Sequence, residues 1–397
     1  MRYRRIVGAI STATMVPALA AAAQLSPRVP LVEGLTIVTA VSQPEGDYES
    51  IKRIVSGNAE AVTLEYSADV PAPASGGGLG SLFGGLAGED AEGEPTGRDG
   101  VRQVRSRRTI LREDLAASRE YAQIFREDLP ETLPGTTALG VSRTVLEDLR
   151  TKGSSPLTMR GAGPLGAVGA GVARLVTDMA GKMAGATRTS GLETMDQISG
   201  TVERLSGAAK PFPVLLNGKP ASLPVVTARG TLGDQPVELT LLDDPDNPLA
   251  LVWKVGDLGS LRVVRIDLAD AQRTGEGIER QLGESGRAVV YGIYFDFASA
   301  VIKAESEPVL AEIANILRTH PDWKVAIEGH TDAVGDGRSN HALSEQRAAA
   351  VRTALVERYQ VTRERLSPRG FGESRPKATN HTLEGRAENR RVELVRR

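Results

Sequence analysis

The sequence predicts an α+β fold in two modules. A mainly antiparallel-sheet α+β domain occupies residues 30–268, and a β-α-β-α-β-β two-layer sandwich occupies 287–397. Three observations carry this expectation. Apolar residues alternate with period two through Val237, Leu239 and Leu241, then Leu249, Leu251, Trp253 and Val255, then Leu261 to Leu268. A glycine-rich stretch, 269–286, reads as a linker, with Thr274-Gly275-Glu276-Gly277 and Gly283-Glu284-Ser285-Gly286 in it. Beyond it, β-branched runs alternate with helical apolar stripes. A chain of 397 residues has room for two or three such units.

Residues 1–23 read as a secretory signal. Arg2, Arg4 and Arg5 precede an apolar run from Ile6 to Leu19, and small residues fit cleavage after Ala20 or after Ala23. Retention as a membrane anchor is the alternative, since residues 6–23 approach the roughly 17–25 residues that span a bilayer. Leu35 to Thr39 and Ala61 to Tyr66 read as strands. Residues 71–100, rich in glycine and without a period, read as a flexible excursion, and so does the glycine-alanine stretch 161–191. Between them, Val101 to Leu111 reads as an arginine-studded strand. Tyr121, Ile124 and Phe125 have the spacing of a helix face. Ser142 is placed to cap a helix from Arg143 to Thr151, with Gly153 at its end. The arginines at 102, 105, 107, 108 and 112 lie among acids at 113, 114, 120, 127 and 128, which reads as a solvated mixed face. The run Asp243 to Pro248 is a turn between strands of an antiparallel meander. No catalytic or ligand constellation stands out in 30–268.

Composition excludes several functions. The 48 basic and 50 acidic residues give a formal charge of -2, which argues against a whole-chain nucleic-acid binder and leaves local patches open. With no cysteine, disulfides, thiolate zinc sites, thiol catalysis and a lipid on cysteine are impossible. Aromatic residues make up only 4%, too few for the two girdles of an outer-membrane barrel.

In the last module, Val289 to Phe297 reads as a strand and 305–319 as an amphipathic helix with Val309, Ile313, Ile316 and Leu317 inward. Val325 to Glu328 reads as a second strand. Asn340 is placed to cap a helix bearing Leu343, Val351, Ala354 and Leu355, and strands follow at Leu366 to Gly370 and Arg391 to Val395.

The run EGHTDAVGDGRSNHALSEQRAAAVRTAL (328–355), then RLSPRGFGESRP (365–376) and EGRAENRRVEL (384–394), resembles the OmpA-like C-terminal domain that binds peptidoglycan. The resemblance covers about 287–397. It implies that Asp332 and Arg347 hold the diaminopimelate of the peptide stem, and that Thr331, Asn340 and Arg391 stand at further ligand positions. Where that family often carries a polar residue after the FDF-type strand, this chain has Ala298 and Ser299. The chemistry is coherent. Diaminopimelate ends in a free amino and carboxyl pair, for which one anion and one planar, bidentate cation are the matching partners.

Rival readings of these residues are weaker. His330 beside Asp332 suggests a metal pair without a third ligand. Arg386, Arg390 and Arg391 suggest a phosphate patch, but Glu384, Glu388 and Glu393 interleave and favour salt bridges. Gly370-Phe371-Gly372 is too short for a dinucleotide fingerprint. The resemblance, together with the signal segment, implies a non-enzymatic, cofactor-free envelope protein in the periplasm, associated with the outer membrane or cell wall, whose 30–268 domain would meet an outer-membrane or envelope protein. The alternative is a stator-like or transport component that keeps its N-terminal anchor.

Overall fold

The structure, a computed structural model, describes residues 28–43, 46–71, 101–122, 130–160, 197–207, 209–256, 259–268 and 275–397. The expected signal segment, all but Pro71 of the first glycine-rich excursion, and the whole of the second lie outside them.

The N-terminal domain is built on a 14-stranded sheet. Its strands are β1 (Thr36–Gln43), β2 (Gly46–Gly57), β3 (Ala61–Pro71), β4 (Val101–Leu111), β5 (Glu120–Ala122), β6 (Thr136–Thr137), β7 (Ser154–Arg160), β8 (Gln197–Arg204), β9 (Phe212–Leu216), β10 (Lys219–Leu223), β11 (Val225–Leu232), β12 (Gln235–Leu242), β13 (Ala250–Val255) and β14 (Gly259–Asp267). Strands β1 to β4 form one antiparallel meander and β11 to β14 another, and β1 pairs with β14 to join them. At the far side, β5 runs parallel to both β6 and β7. The two end strands of the path meet, because Arg108 of β4 donates to Thr136 Oγ1 of β6 at 2.8 Å and Thr109 bridges to Thr132. Curling back covers strand edges that would otherwise invite foreign pairing. Period two decides which residues go inside: Val62, Leu64, Tyr66 and Ala68 of β3 are buried in one core, whereas Glu65 lies outside and pairs with Arg107.

Two expectations fail here for tertiary reasons. Tyr121 lies on β5, not on a helix. It is buried and stacks on Trp253 with ring centroids 4.3 Å apart, and that aromatic burial outweighs the local helical spacing. Ile124 and Phe125 lie outside the described residues. The arginine run is likewise not one solvated face: Arg107 is exposed, but its neighbour Arg108 turns inward, and burial lowers its pKa to about 10. A short helix α1 (Arg112–Ala117) follows β4. Helix α2 (Arg143–Thr151) is capped as the sequence indicates, with Ser142 accepting from the Val145 amide at 3.3 Å and Gly153 at φ +80°.

The expected linker is partly structure. Gly275–Glu284 is helix α3, and its Leu282 is buried in the C-terminal core with Ile278 packed alongside. Glycines in an amphipathic stretch lower helix propensity but do not forbid a helix whose apolar face finds a core. The sandwich then runs β15 (Arg287–Val290), α4 (Glu307–Thr319), β16 (Val325–Gly329), α5 (Gly337–Glu357), β17 (Leu366–Gly370), α6 (Leu383–Asn389) and β18 (Val392–Arg396). Its sheet has the order β15-β18-β16-β17, with β16 and β17 parallel. The layers close over Ile313, Leu317, Val351 and Leu355. Helix α6 is an addition to the expected β-α-β-α-β-β order. The strand expected over Val289 to Phe297 stops at Val290; past Gly292, at φ +95°, the chain becomes a loop that reaches toward the first domain.

That loop and α6 dock on a face of the sheet formed by β1, β2, β3, β9 and β14. Val38, Leu215 and Val264 of the sheet share a buried cluster with Ala387 of α6. Around it, Tyr294 Oη donates to Asp267 at 3.0 Å, the Phe297 amide donates to Asp69 at 2.7 Å, and Lys303 Nζ lies 2.9 Å from Asp69. Arg262 pairs with Glu384 across the same seam.

Candidate functional site

Between the two domains lies a cleft of about 450 Å³. Its C-terminal wall starts at the end of β16, all five residues of which are buried. The chain leaving that strand is stitched on both sides: the His330 amide donates to Arg391 O and the Thr331 amide to Gly372 O, each at 3.0 Å. This fixes the direction in which residues 330–332 project.

Asp332, 8% exposed, accepts from the Val334 amide at 3.1 Å and is ion-paired with Arg390. Asn340 does not cap α5. Asp336 does so, accepting from the Ser339 amide at 2.9 Å, and Asn340 sits one turn in, buried. Its amide nitrogen donates to Asp332 O at 3.3 Å, Val334 O at 3.2 Å and Glu373 Oε2 at 2.7 Å, so it braces the loop that carries Asp332. Thr331 is buried and its Oγ1 has no hydrogen-bond partner among the described residues. An unpartnered buried hydroxyl costs free energy unless something in the cleft satisfies it.

Arg347 comes from the middle of α5. Its Nε donates to Ser299 O at 2.9 Å and its guanidinium lies over the Phe295 ring at 4.9 Å. Thus, where the family often carries a polar residue and this chain has Ala298 and Ser299, the contact to Arg347 comes from the Ser299 backbone carbonyl. Burial and the neighbouring Arg390 push the Arg347 pKa down to about 10, still far above neutral, so the side chain stays a cation. The cleft therefore brings together Asp332, Arg347, Thr331 and Asn340 from β16, the following loop and α5.

Arg391 is placed differently. It lines the cleft, but its guanidinium is committed elsewhere: Nε donates to Glu393 at 2.6 Å and Nη2 to Arg375 O at 3.1 Å. Its neighbour Arg390 is the arginine that meets Asp332. Arg390 is the C-cap of α6, two residues before β18 begins, and nothing local separates it from Arg391 as the partner of Asp332. Nor does anything local signal Glu49 of β2, which is ion-paired with Arg390 from the other domain.

His330 gathers with Glu328 and Glu393, their ligand atoms within 4.8 Å of one another. Both carboxylates are already held by guanidinium groups: Arg287 reaches Glu328 at 2.8 Å and also Glu393, which Arg391 holds as well. A divalent ion would have to displace them, so this trio is a buried ion network. The His330 ring is buried beside Phe371, and burial, then Arg391, lower its pKa from 6.5 to about 4. Such a histidine takes up a proton on unfolding. Its contribution to stability is full above pH 6.5, declines as the pH falls from 6.5 to 4, and is flat below that. The melting temperature is expected to drop across that window, and His330→Leu to flatten the drop; an unaltered slope in the variant would refute the assignment.

The OmpA family model matches residues 294–390. Over 178 residues the chain is 32% identical to Outer membrane protein A of Bordetella avium, covering 43% of this chain and 89% of that one. The chain belongs to the OmpA family. Within this family, Outer membrane porin F of Pseudomonas aeruginosa is 46% identical over 101 residues, which are 25% of this chain but 29% of that protein. The OmpA-family segment thus spans under a third of the porin relative. Among solved structures, the peptidoglycan-associated lipoprotein of Burkholderia pseudomallei is 34% identical, covering 26% of this chain and 88% of that one, with a TM-score of 0.25.

Proposed function

We propose that this protein is a non-enzymatic component of the cell envelope that binds peptidoglycan noncovalently, gripping the diaminopimelate of the peptide stem and so tethering its N-terminal domain, or the outer membrane, to the wall. One observation carries the reading: an anion, Asp332, and a cation, Arg347, delivered by separate elements, line one cleft with the unpartnered Thr331 hydroxyl. A zwitterionic ligand end matches that pair. The ammonium is received by Asp332, the carboxylate by the guanidinium of Arg347, and both charges are held where water competes weakly. The family relatives supply the envelope setting: outer-membrane proteins A and F, and a lipoprotein described as peptidoglycan-associated. With its sheet curled over 14 strands and one face seated on the wall-binding domain, the N-terminal domain is the part left to meet an envelope partner.

The deciding experiment is co-sedimentation of residues 24–397 with purified walls. Pelleting with diaminopimelate-type peptidoglycan, and at least tenfold less with lysine-type walls, is expected, because a lysine stem lacks the terminal carboxylate. Equal pelleting with both would refute diaminopimelate recognition, and pelleting with neither would refute wall binding.

A further inference from the structure

The cleft is not open on all sides. Its second wall is the N-terminal sheet, with Val38, Val41 and Ile51 from β1 and β2, and it sets a carboxylate on the binding domain's own arginine. Arg390 stands between two acids, Asp332 of its own domain and Glu49 of the other, and the charges of Glu49, Asp332 and Arg390 all act on Arg347. Glu49 therefore does to this arginine pair what the carboxylate of an incoming ligand would do. Without Glu49 the trio Asp332, Arg347 and Arg390 carries one excess positive charge; with it the set is neutral. A ligand carboxylate entering the closed cleft meets a field that has already been cancelled.

The contact has the character of a reversible seam. Its apolar centre is small, formed by Val38, Leu215 and Val264 against Ala387, and around it the ties are charged or polar: Glu49 with Arg390, Arg262 with Glu384, Lys303 with Asp69, and Tyr294 with Asp267. Interfaces of this kind, more polar than a domain core, favour relative movement of the two parts. The Glu49 side chain is 37% exposed and that of Arg390 29%, so water reaches the pair and it can open without leaving a dry, uncompensated charge.

We propose that the N-terminal domain restrains the wall-binding cleft, with Glu49 acting as an internal competitor for the ligand carboxylate at Arg390 and Arg347. Engagement of the wall then requires the Glu49–Arg390 pair to open, and anything that pulls the N-terminal sheet away raises affinity for the wall. This inference rests on the diaminopimelate reading of the cleft, and the test separates the two.

The probe is the soluble tripeptide L-Ala-D-Glu-meso-diaminopimelate, titrated by calorimetry into the full chain and into Glu49→Gln and Glu384→Gln. The second variant loosens the seam outside the ligand site. Both variants are expected to bind about tenfold more tightly than the parent. Because the chain has no cysteine, dyes on Ser56→Cys and Glu357→Cys report the separation of the domains without any ligand, and energy transfer is expected to fall in both variants. Unchanged or weaker binding by Glu49→Gln overturns the proposal; weaker binding would make Glu49 a ligand contact. Should no chain bind the tripeptide, the diaminopimelate reading fails, and the dyes still decide closure: reduced transfer in Glu49→Gln upholds it, and unchanged transfer overturns it.

Discussion

Arg347→Ala is expected to reduce binding to diaminopimelate-type walls by at least about 30-fold while the melting temperature stays within a few degrees of the parent. Truncating one partner of a desolvated, hydrogen-bonded charge pair costs about 2–5 kcal/mol, and 2 kcal/mol is already about that factor. Stability is spared because two effects oppose each other. The variant loses the bond to Ser299 O and the contact with the Phe295 ring, but it also removes a cation that burial and Arg390 both disfavour. Arg347→Lys is the sharper probe. It keeps the charge but not the fork, so it should recover little of the lost affinity. Asp332→Ala is expected to abolish binding as well, for the complementary reason that the ligand ammonium loses its anion; Arg390 keeps Glu49, so the loop is not left with an unpaired charge. Wild-type pelleting by Arg347→Ala or Asp332→Ala would remove these residues from the site.

Gly329→Ala is expected to destabilise the C-terminal domain by about 3 kcal/mol and, with it, to abolish the proposed wall binding. A methyl group there would sit 2.3 Å from Ser344 O of α5, on backbone that cannot rotate away. The helix would have to lift off β16, and overpacking of this kind costs about 1–3 kcal/mol, the upper end applying where backbone must shift. The same helix carries Asn340 and Arg347, so a movement of about 1 Å would separate them from Asp332, which β16 delivers. Denaturant unfolding of the variant checks the first part and wall pelleting below its midpoint checks the second. Parent-like stability would mean that α5 has slack against the sheet.

The elements legible in the sequence share one property: their signal lies within a few residues. Alternation along Val237 to Leu241 is enough for β12, the Ser142 hydroxyl is enough for the start of α2, and the 3.6-residue stripe of Val309, Ile313 and Leu317 is enough for α4. Where distant packing overrules a local pattern, the reading fails. Tyr121 has helical company in sequence and strand company in space, and Gly275–Glu284 looks like a linker until Leu282 finds the core.

For the site, the residue types and their order are legible along the chain: an Asp just past a buried strand, an Arg two turns past Asn340 on the next helix, and two adjacent arginines before the last strand. The absence of cysteine is legible in the same way, and it removes thiol chemistry from this chain. Which of the adjacent arginines faces Asp332 emerges only once the domains are folded and docked, as does the placing of Glu49, 341 residues earlier, against it. The difference lies in the range of the forces. Backbone periodicity and capping act over one or two turns and leave a pattern in the chain. An ion pair across a domain seam depends on how two finished surfaces dock, and docking leaves no period to read.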